Sequence, residues 1–168
     1  MSEVLVIGAT GTTGSRVAAF LRERGVPVRT AGRGQGTHVR FDWAERATHA
    51  PALRGVSAVY LVAPAGVADP VPLVEPFLEE AVRQGVRRVV QLSSSAVPEG
   101  AAGLGEVHRL VRTAMPEWAV LRPSWFMQNF TGRTSRCASG TGICCPRPGT
   151  PVWRSWTRRT SPPSPATR

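Results

Sequence analysis

The sequence contains no lysine, although its arginines give it a formal net charge of +10 at pH 7. It also contains no acidic residue after Glu117. Residues 1–130 carry 14 arginines against 11 acidic residues, whereas residues 131–168 carry 7 arginines and no acid. The basic excess therefore belongs mostly to the last segment of the chain and not to a folded face on which basic side chains cluster for nucleic-acid binding.

Long hydrophobic runs and well-spaced cysteines are also missing. No apolar run approaches the roughly 18 residues of a transmembrane helix, and the N-terminus has no basic region or cleavage site typical of a signal peptide. We therefore expect a cytoplasmic protein without a membrane partner. The only cysteines are Cys137, Cys144 and Cys145. A zinc site needs about four ligands at set spacings, and no suitable histidine accompanies these three, so we expect no metal site.

The first 130 residues alternate apolar runs with helical patterns. Strands are predicted at Glu3–Gly8, Val26–Ala31, Val39–Phe41, Ser57–Ala63, Arg87–Ser93 and Trp118–Leu121, and helices at Thr12–Arg24, Glu45–Leu53, Val71–Gln84 and Gly103–Met115. Such alternation indicates βαβ units and a parallel sheet, and right-handed crossovers favour the doubly wound topology. We therefore predict an α/β fold in which residues 1–130 form a Rossmann-type NAD(P)-binding domain with a doubly wound parallel sheet.

A glycine-rich turn with the sequence GATGTTG lies between the first strand and the first helix. In a dinucleotide-binding turn the first glycine permits the tight turn, the second lets the backbone approach the pyrophosphate, and the third lets the helix pack on the strand. Here these glycines are Gly8, Gly11 and Gly14. The helix N-terminus favours phosphate charge, and three hydroxyls can add hydrogen bonds, namely those of Thr10, Thr12 and Thr13. We predict a pyrophosphate-binding turn; the alternative is a tight strand–helix turn without a ligand.

The residues after the second strand bear on the choice between NAD and NADP. An NAD site usually places an acid about 20 residues after the glycine turn to accept from the ribose 2′-OH, but no acid occurs between Glu23 and Asp42. Arg33 follows the strand end instead and suits a 2′-phosphate, unless it is a solvated loop arginine. We therefore predict NADP in preference to NAD. Asp42 either reaches the adenine amine or caps the next helix in a box with Glu45.

Two other segments are expected at the same crevice, because the carboxyl ends of parallel strands meet there. Ala63, Pro64 and Ala65 follow the fourth strand, and Ser93–Ser95 follow the fifth. We predict that Ala63, Pro64 and Ser93 contact the nicotinamide side of the cofactor. The alternative for the serines is that they are ordinary polar loop residues.

Several segments together resemble a known family. They are VLVIGATGTTGSRV at 4–17, FDW at 41–43, RRVVQLSSSAVPEG at 87–100, GEVHRLVR at 105–112 and WAVLRPSWFMQNF at 118–130. They resemble the NmrA-like atypical short-chain dehydrogenases, and within these the ergot-alkaloid-type (agroclavine or festuclavine) dehydrogenases. The resemblance implies an NADP(H)-binding oxidoreductase that transfers hydride to a small organic substrate carrying an imine or ene-type group.

The chain departs from the chemistry that many short-chain dehydrogenases use. Their Tyr-x-x-x-Lys pair delivers a proton, but this chain has no lysine, and its only tyrosine, Tyr60, falls in the fourth predicted strand. Hydride transfer to an iminium carbon needs no proton at that carbon and tolerates this absence. The catalytic candidates are His108 and, more weakly, Ser94. His108 could act as an acid or base because a histidine titrates near neutrality. The alternative is a structural role, which is more common for a histidine on a helix face. The alternative function is a non-catalytic redox sensor that binds NADP.

Residues 131–168 lack leucine and are rich in Pro, Ser, Thr, Arg and Gly, so we expect a disordered basic tail. When the codons of residues 152–165 are read one base out of frame, they are compatible with the peptide VAVVDAADIAAVA. That peptide resembles the VDxxDIAAV segment of NmrA-like proteins. We therefore hypothesise a frameshift near residues 132–136, which leaves the family's C-terminal substrate region truncated. The alternative is a genuine basic arm that binds nucleic acid or a membrane.

An aromatic group follows the sixth predicted strand at Trp125, Phe126 and Phe130. If later elements do not cover these side chains and the strand lies at the sheet edge, the surface favours association. The expected partners are therefore a small-molecule substrate and a second copy of the chain in a homo-oligomer.

Overall fold

The sheet has six parallel strands in the order β3-β2-β1-β4-β5-β6. The structure, a computed structural model, describes residues 3–124 and residue 126. The strands are β1 Glu3–Ile7, β2 Val28–Gly32, β3 Val39–Arg40, β4 Val56–Val62, β5 Arg88–Leu92 and β6 Glu117–Leu121. The strand order reverses between β1 and β4, as in a doubly wound dinucleotide-binding fold. This confirms the predicted fold class.

Four α-helices connect the strands in the described part of the chain. They are α1 Thr12–Glu23, α2 His49–Leu53, α3 Val71–Arg83 and α4 Leu104–Ala114. Glycines with positive φ bound three of them: Gly25 (φ +70°) and Gly85 (φ +79°) follow α1 and α3, and Gly103 (φ +78°) precedes α4. None of these helices is long and apolar enough to cross a bilayer.

The helix predicted at Glu45–Leu53 is wrong as one continuous element. The structure has a 3-10 turn at Arg46–Thr48, followed by the short α2. The Thr48 hydroxyl donates to the carbonyls of Asp42 and Glu45 at 3.1 and 2.7 Å and accepts from the Asp42 N–H at 3.1 Å. These bonds hold the chain in a compact turn before α2 begins. The spacing of apolar residues does not reveal such side-chain bonds.

The sheet packs helices on both faces. On one face α2, α3 and α4 bury the larger core, in which Leu5, Leu61, Phe77 and Val107 are fully buried. On the other face α1 packs through Ala18 against a smaller cluster with Val6 and Tyr60. At the β5–β6 end of this second face Val90, Leu92 and Leu121 are only half-buried, and Ala119, paired with Val90, is exposed.

Some expectations fall on residues outside the described part of the chain. The predicted disorder of residues 131–168, the frameshift hypothesis, the cysteines and the aromatic residues Trp125 and Phe130 all lie there. Phe126 is described and is half-buried.

Candidate functional site

The glycine turn after β1 is tight, and its contacts explain the positions of its glycines. Gly8 has φ +69°, which favours glycine. Its N–H donates to the Ala31 carbonyl at 3.1 Å, and its carbonyl accepts from Gly11 N–H at 2.9 Å. A Cβ built on Gly14 would overlap the Gly8 carbonyl oxygen and lie 2.7 Å from the carbonyl carbon. Only glycine therefore lets α1 approach the end of β1 this closely.

The N-terminus of α1 has the features of an anion site. Gly11 occupies the N-cap position in an extended conformation (φ −85°, ψ 173°), no side chain caps the helix, and the first turn has no acidic residue. The first N–H groups of a helix have no intrahelical acceptor, and the dipole adds positive potential. Thr10, Gly11 and Thr12 are exposed, whereas Thr13 is half-buried. The turn therefore presents backbone donors and two hydroxyls where a pyrophosphate would bind.

The half-buried Thr13 forms a side-chain hydrogen bond with Tyr60, the only tyrosine of the chain. Tyr60 on β4 is 5% exposed and belongs to the cluster on the α1 face of the sheet. Burial raises the pKa of Tyr60, and a hydrogen bond with the Thr13 side chain partly opposes that rise. Tyr60 therefore packs beneath α1, between the helix and the sheet. It is not placed as a proton donor to a substrate.

Arg33 is exposed and is the first residue after β2. Because the Gly8 N–H donates to Ala31 on β2, the end of β2 lies beside the glycine turn. The loop that follows is organised by Thr37, whose hydroxyl donates to the carbonyls of Gly34 and Val39 at 3.2 Å each. Arg33 is thus at the edge of the turn, where the adenosine ribose of a dinucleotide lies in this fold.

Asp42 does not form the predicted capping box with Glu45. Its Oδ1 accepts from the Ala44 N–H at 3.0 Å, which is a local turn within the loop after β3. Glu45 is the N-cap of the 3-10 turn but makes no side-chain cap bond, and its carboxylate instead pairs with Arg40 at 2.7 Å. That alternative is therefore wrong, and the contact of Asp42 with an adenine amine stays a prediction.

A cavity of about 330 Å³ lies at the carboxyl ends of β4 and β5. Three predicted cofactor contacts line it together, namely Ala63, Pro64 and Ser93. The start of α4 also lines the cavity, at Gly103 and Leu104. The cavity adjoins the glycine turn through Val62, which lines it and whose Cβ would be 3.6 Å from a Cβ built on Gly8. The structure thus brings the predicted pyrophosphate and nicotinamide regions side by side.

Arg122 lies at this edge of the sheet and makes contacts that the sequence analysis did not predict. Its Nε donates to the Ser94 carbonyl at 3.2 Å, and its Nη2 donates to the Ser95 carbonyl at 3.1 Å. The Ser94 hydroxyl accepts from the Ala96 N–H at 3.3 Å and does not line the cavity. Ser94 therefore shapes a turn, and its predicted catalytic role receives no support from this geometry.

Gln91 is a second residue that the sequence reasoning missed. It is fully buried on β5, and its Nε2 donates to the Leu104 carbonyl at 3.0 Å. Its Oε1 has no hydrogen-bond partner among the described residues. Gln91 therefore ties β5 to the first residue of α4, which forms a wall of the cavity.

His108 does not reach the cavity. It lies one turn into α4, its ring centroid is 5.6 Å from that of Trp118, and its Nε2 is 3.9 Å from Glu99. Burial lowers the pKa of His108, Arg122 and Arg112 lower it further, and Glu99 opposes them. The position behind the cavity wall does not support the predicted acid–base role.

A larger open groove of about 620 Å³ lies between α3 and α4. Leu78, Val82 and Leu110 contribute apolar surface, and Glu75 and Arg83 also line the groove. None of the residues predicted for the cofactor lines it. The smaller cavity beside the glycine turn is therefore the candidate site.

The topology and the glycine turn define the class of the protein, which is a Rossmann-type NAD(P)-binding fold. Residues 4–107 match the model of the NAD dependent epimerase/dehydratase family. The chain belongs to that family.

Two curated relatives and one solved structure give closer comparisons. The chain is 49% identical over 132 residues to the uncharacterized oxidoreductase YesF of Bacillus subtilis, covering 76% of this chain and 46% of YesF. It is 35% identical over 142 residues to agroclavine dehydrogenase of Claviceps fusiformis, covering 77% and 49%. A short-chain dehydrogenase/reductase superfamily protein of Agrobacterium tumefaciens with bound NAD has a TM-score of 0.58 and 30% identity, covering 71% and 48%.

These relatives confirm the resemblance to ergot-alkaloid-type dehydrogenases, while the assignment to the NmrA-like group stays a prediction. The chain spans about half the length of the curated relatives that it matches.

Proposed function

We propose that this chain is the NADP(H)-binding part of an oxidoreductase that transfers hydride to a small organic substrate with an imine or ene-type group. The observation that carries the proposal is the glycine turn, in which Gly14 packs directly on Gly8 and the uncapped N-terminus of α1 adjoins a cavity at the ends of β4 and β5. The oxidoreductase and dehydrogenase names of its relatives support the reaction class.

The residues present fit a nicotinamide dinucleotide in its two halves. The N–H groups at the start of α1 would hold the pyrophosphate, and the largely apolar wall formed by Ala63, Pro64 and Leu104 would bound the nicotinamide side. When bound, the cofactor supplies the hydride. The chain would position the nicotinamide against the cavity wall, and no described side chain lining the cavity is a strong acid or base.

Among the described residues no strong acid lines the cavity, which favours an imine-type acceptor. An iminium carbon accepts hydride and becomes an amine without taking a proton at that carbon. Tyr60 is buried beneath α1, and His108 lies on α4 outside the cavity lining, so neither is placed to protonate a substrate in the cavity. The substrate class rests on this argument and on the agroclavine dehydrogenase relative.

The preference for NADP is tested by thermal unfolding with each cofactor. Arg33 is exposed beside the turn, and the end of β2 has no acid that would favour a free ribose 2′-OH. We expect NADP to raise the unfolding temperature more than NAD does, since a ligand bound only by the folded state stabilises it. Arg33→Gln should weaken NADP binding about tenfold, a size typical of a charged hydrogen bond, and leave NAD binding unchanged.

Arg109 on the exposed face of α4 provides the matched control, because Arg109→Gln removes the same charge at a residue that does not line the cavity. Equal stabilisation by NADP and NAD would exclude the role of Arg33. No stabilisation by either cofactor would overturn the proposed function itself.

A second candidate is a non-catalytic sensor that binds NADP. The observation that favours it is the burial of the only tyrosine in a chain without lysine. Oxidation of NADPH with imine substrates separates the two functions, because a sensor binds NADPH without consuming it.

A further inference from the structure

The segment after β5 is held by an unusual combination of backbone and side-chain bonds. Ser93 N–H donates to the Leu121 carbonyl at 2.8 Å, and Ser95 N–H donates to the Pro123 carbonyl at 3.1 Å, so the pairing of β5 with β6 continues past both strand ends. Arg122 adds its two bonds to the carbonyls of Ser94 and Ser95. We call Ser93–Ser95 the serine loop.

After β6 the backbone has no donor at Pro123. Pro123 has no N–H, so it can accept from the serine loop but cannot donate to it. The planar guanidinium of Arg122 supplies two donors in a fixed geometry and reaches two successive carbonyls, which a single ammonium group cannot match. The guanidinium thus adds two donors to the serine loop beside the residue that has no backbone donor.

We propose that Arg122 is a positioning residue for the nicotinamide half of the cofactor site. The inference rests on the proposed function, because Ser93 is a wall of the cavity assigned there to nicotinamide. Arg122 does not line that cavity. It acts by fixing the serine loop, and through the loop it keeps Ser93 at the cavity wall.

The effect is confined to one half of the site. The glycine turn is held independently by the Gly8–Ala31 and Gly11–Gly8 bonds, and the α4 wall is held by the Gln91–Leu104 bond. None of these bonds involves Arg122. Its loss therefore loosens the nicotinamide wall and leaves the pyrophosphate and adenosine regions in place.

The test compares two ligands on the full 168-residue chain. NADPH occupies both halves of the site, whereas adenosine 2′,5′-bisphosphate carries only the adenosine half with its 2′-phosphate. In Arg122→Met we expect the Kd for NADPH to rise about fivefold to tenfold, the size expected for a charged hydrogen bond that is partly exposed. The Kd for the bisphosphate should change less than about twofold. Arg122→Lys should give an intermediate rise, and Arg109→Met should give none.

Hydrogen exchange of the Ala96 and Val97 amides provides a readout that needs no cofactor. These amides donate to Ser94 Oγ at 3.3 Å and to the Ser94 carbonyl at 3.2 Å, so they report on the turn that Arg122 braces. Both should exchange faster in Arg122→Met, and in Arg122→Lys if the first variant does not fold. Unchanged exchange would overturn the proposal, and so would an equal loss of affinity for both ligands.

The outcomes also separate this inference from the proposed function. If the wild-type chain binds neither ligand, the proposed function fails. Hydrogen exchange of the Ala96 and Val97 amides then tests by itself whether Arg122 holds the serine loop. If the wild type binds NADPH and the Kd is the same in Arg122→Met, the proposed function stands and the role of Arg122 fails.

Discussion

Gly14 packs its backbone against the carbonyl of Gly8, so this glycine is required by contact and not by its own backbone angle. On an open helix surface an alanine would be favoured over glycine by about 1 kcal/mol. Here the overlap with Gly8 makes alanine less stable than glycine at this position. The residue therefore joins the stability of the fold to the geometry of the anion site.

We predict that Gly14→Ala lowers the free energy of unfolding by about 1–3 kcal/mol, the usual cost of overpacking. It should also weaken NADP binding, because α1 must move away from the turn. Urea unfolding and a cofactor titration measure the two effects. Gly34→Ala is the control, since a Cβ there meets nothing within 4 Å. Equal stability of the two variants would show that the turn relaxes freely.

Among single residues, the sequence predicted those whose contacts are made with residues close by in the chain. The spacing of Gly8, Gly11 and Gly14 is local, and the structure shows the close contact that the pattern implies. The contacts of Arg122 with the serine loop join residues 27 and 28 positions apart. Such contacts depend on which strands become neighbours, so no local pattern could have identified them.

Among the elements, α4 has a firmly anchored start. Gln91 holds the Leu104 carbonyl from below, and the Gly105 carbonyl accepts from the Gly100 N–H at 2.9 Å. A Cβ built on Gly105 would overlap the Pro98 carbonyl oxygen. The loop between β5 and α4 is therefore packed against the first turn of the helix, which also forms a wall of the cavity.

Gly105→Ala should displace that first turn. We expect the free energy of unfolding to fall by about 1–3 kcal/mol through overpacking, together with weaker NADPH binding, because Leu104 moves with the helix start. Chemical unfolding and fluorescence titration would measure both. A variant that is more stable than the wild type would mean that the loop moves to make room for the Cβ. The higher helix propensity of alanine would then determine the stability.

The order and type of the elements were predictable because apolar periodicity and glycine stops are strong signals in this chain. All six strands were placed correctly to within two residues, and so were α1, α3 and α4. The prediction failed at residues 45–53, where the bonds of Thr48 with Asp42 and Glu45 outweigh the helical pattern. Side-chain bonds to the backbone are the competing signal there.

The molecule as a whole should lose stability in mild acid because two histidines are held neutral. Burial lowers the pKa of both His49 and His108 below the ordinary value of 6.5. As pH falls, the unfolded chain takes up these protons before the folded one does. Their contribution is therefore full above about pH 6.5 and is lost as the pH falls through the folded-state pKa values.

Unfolding by urea at about pH 7.5 and about pH 5.5 should show this fall in the free energy of unfolding. His108→Gln should reduce the difference between the two pH values, because it removes one of the two groups. An unchanged difference in that variant would assign the acid sensitivity to other groups.

The burial of Tyr60 against Thr13 has a practical consequence. Since the chain has one tyrosine, fluorotyrosine labelling would place a single fluorine nucleus beneath the first turn of α1. Its resonance would report directly on the helix start that faces the proposed pyrophosphate site. Labelling therefore gives a spectroscopic reporter of that site at a position where no residue has to be substituted.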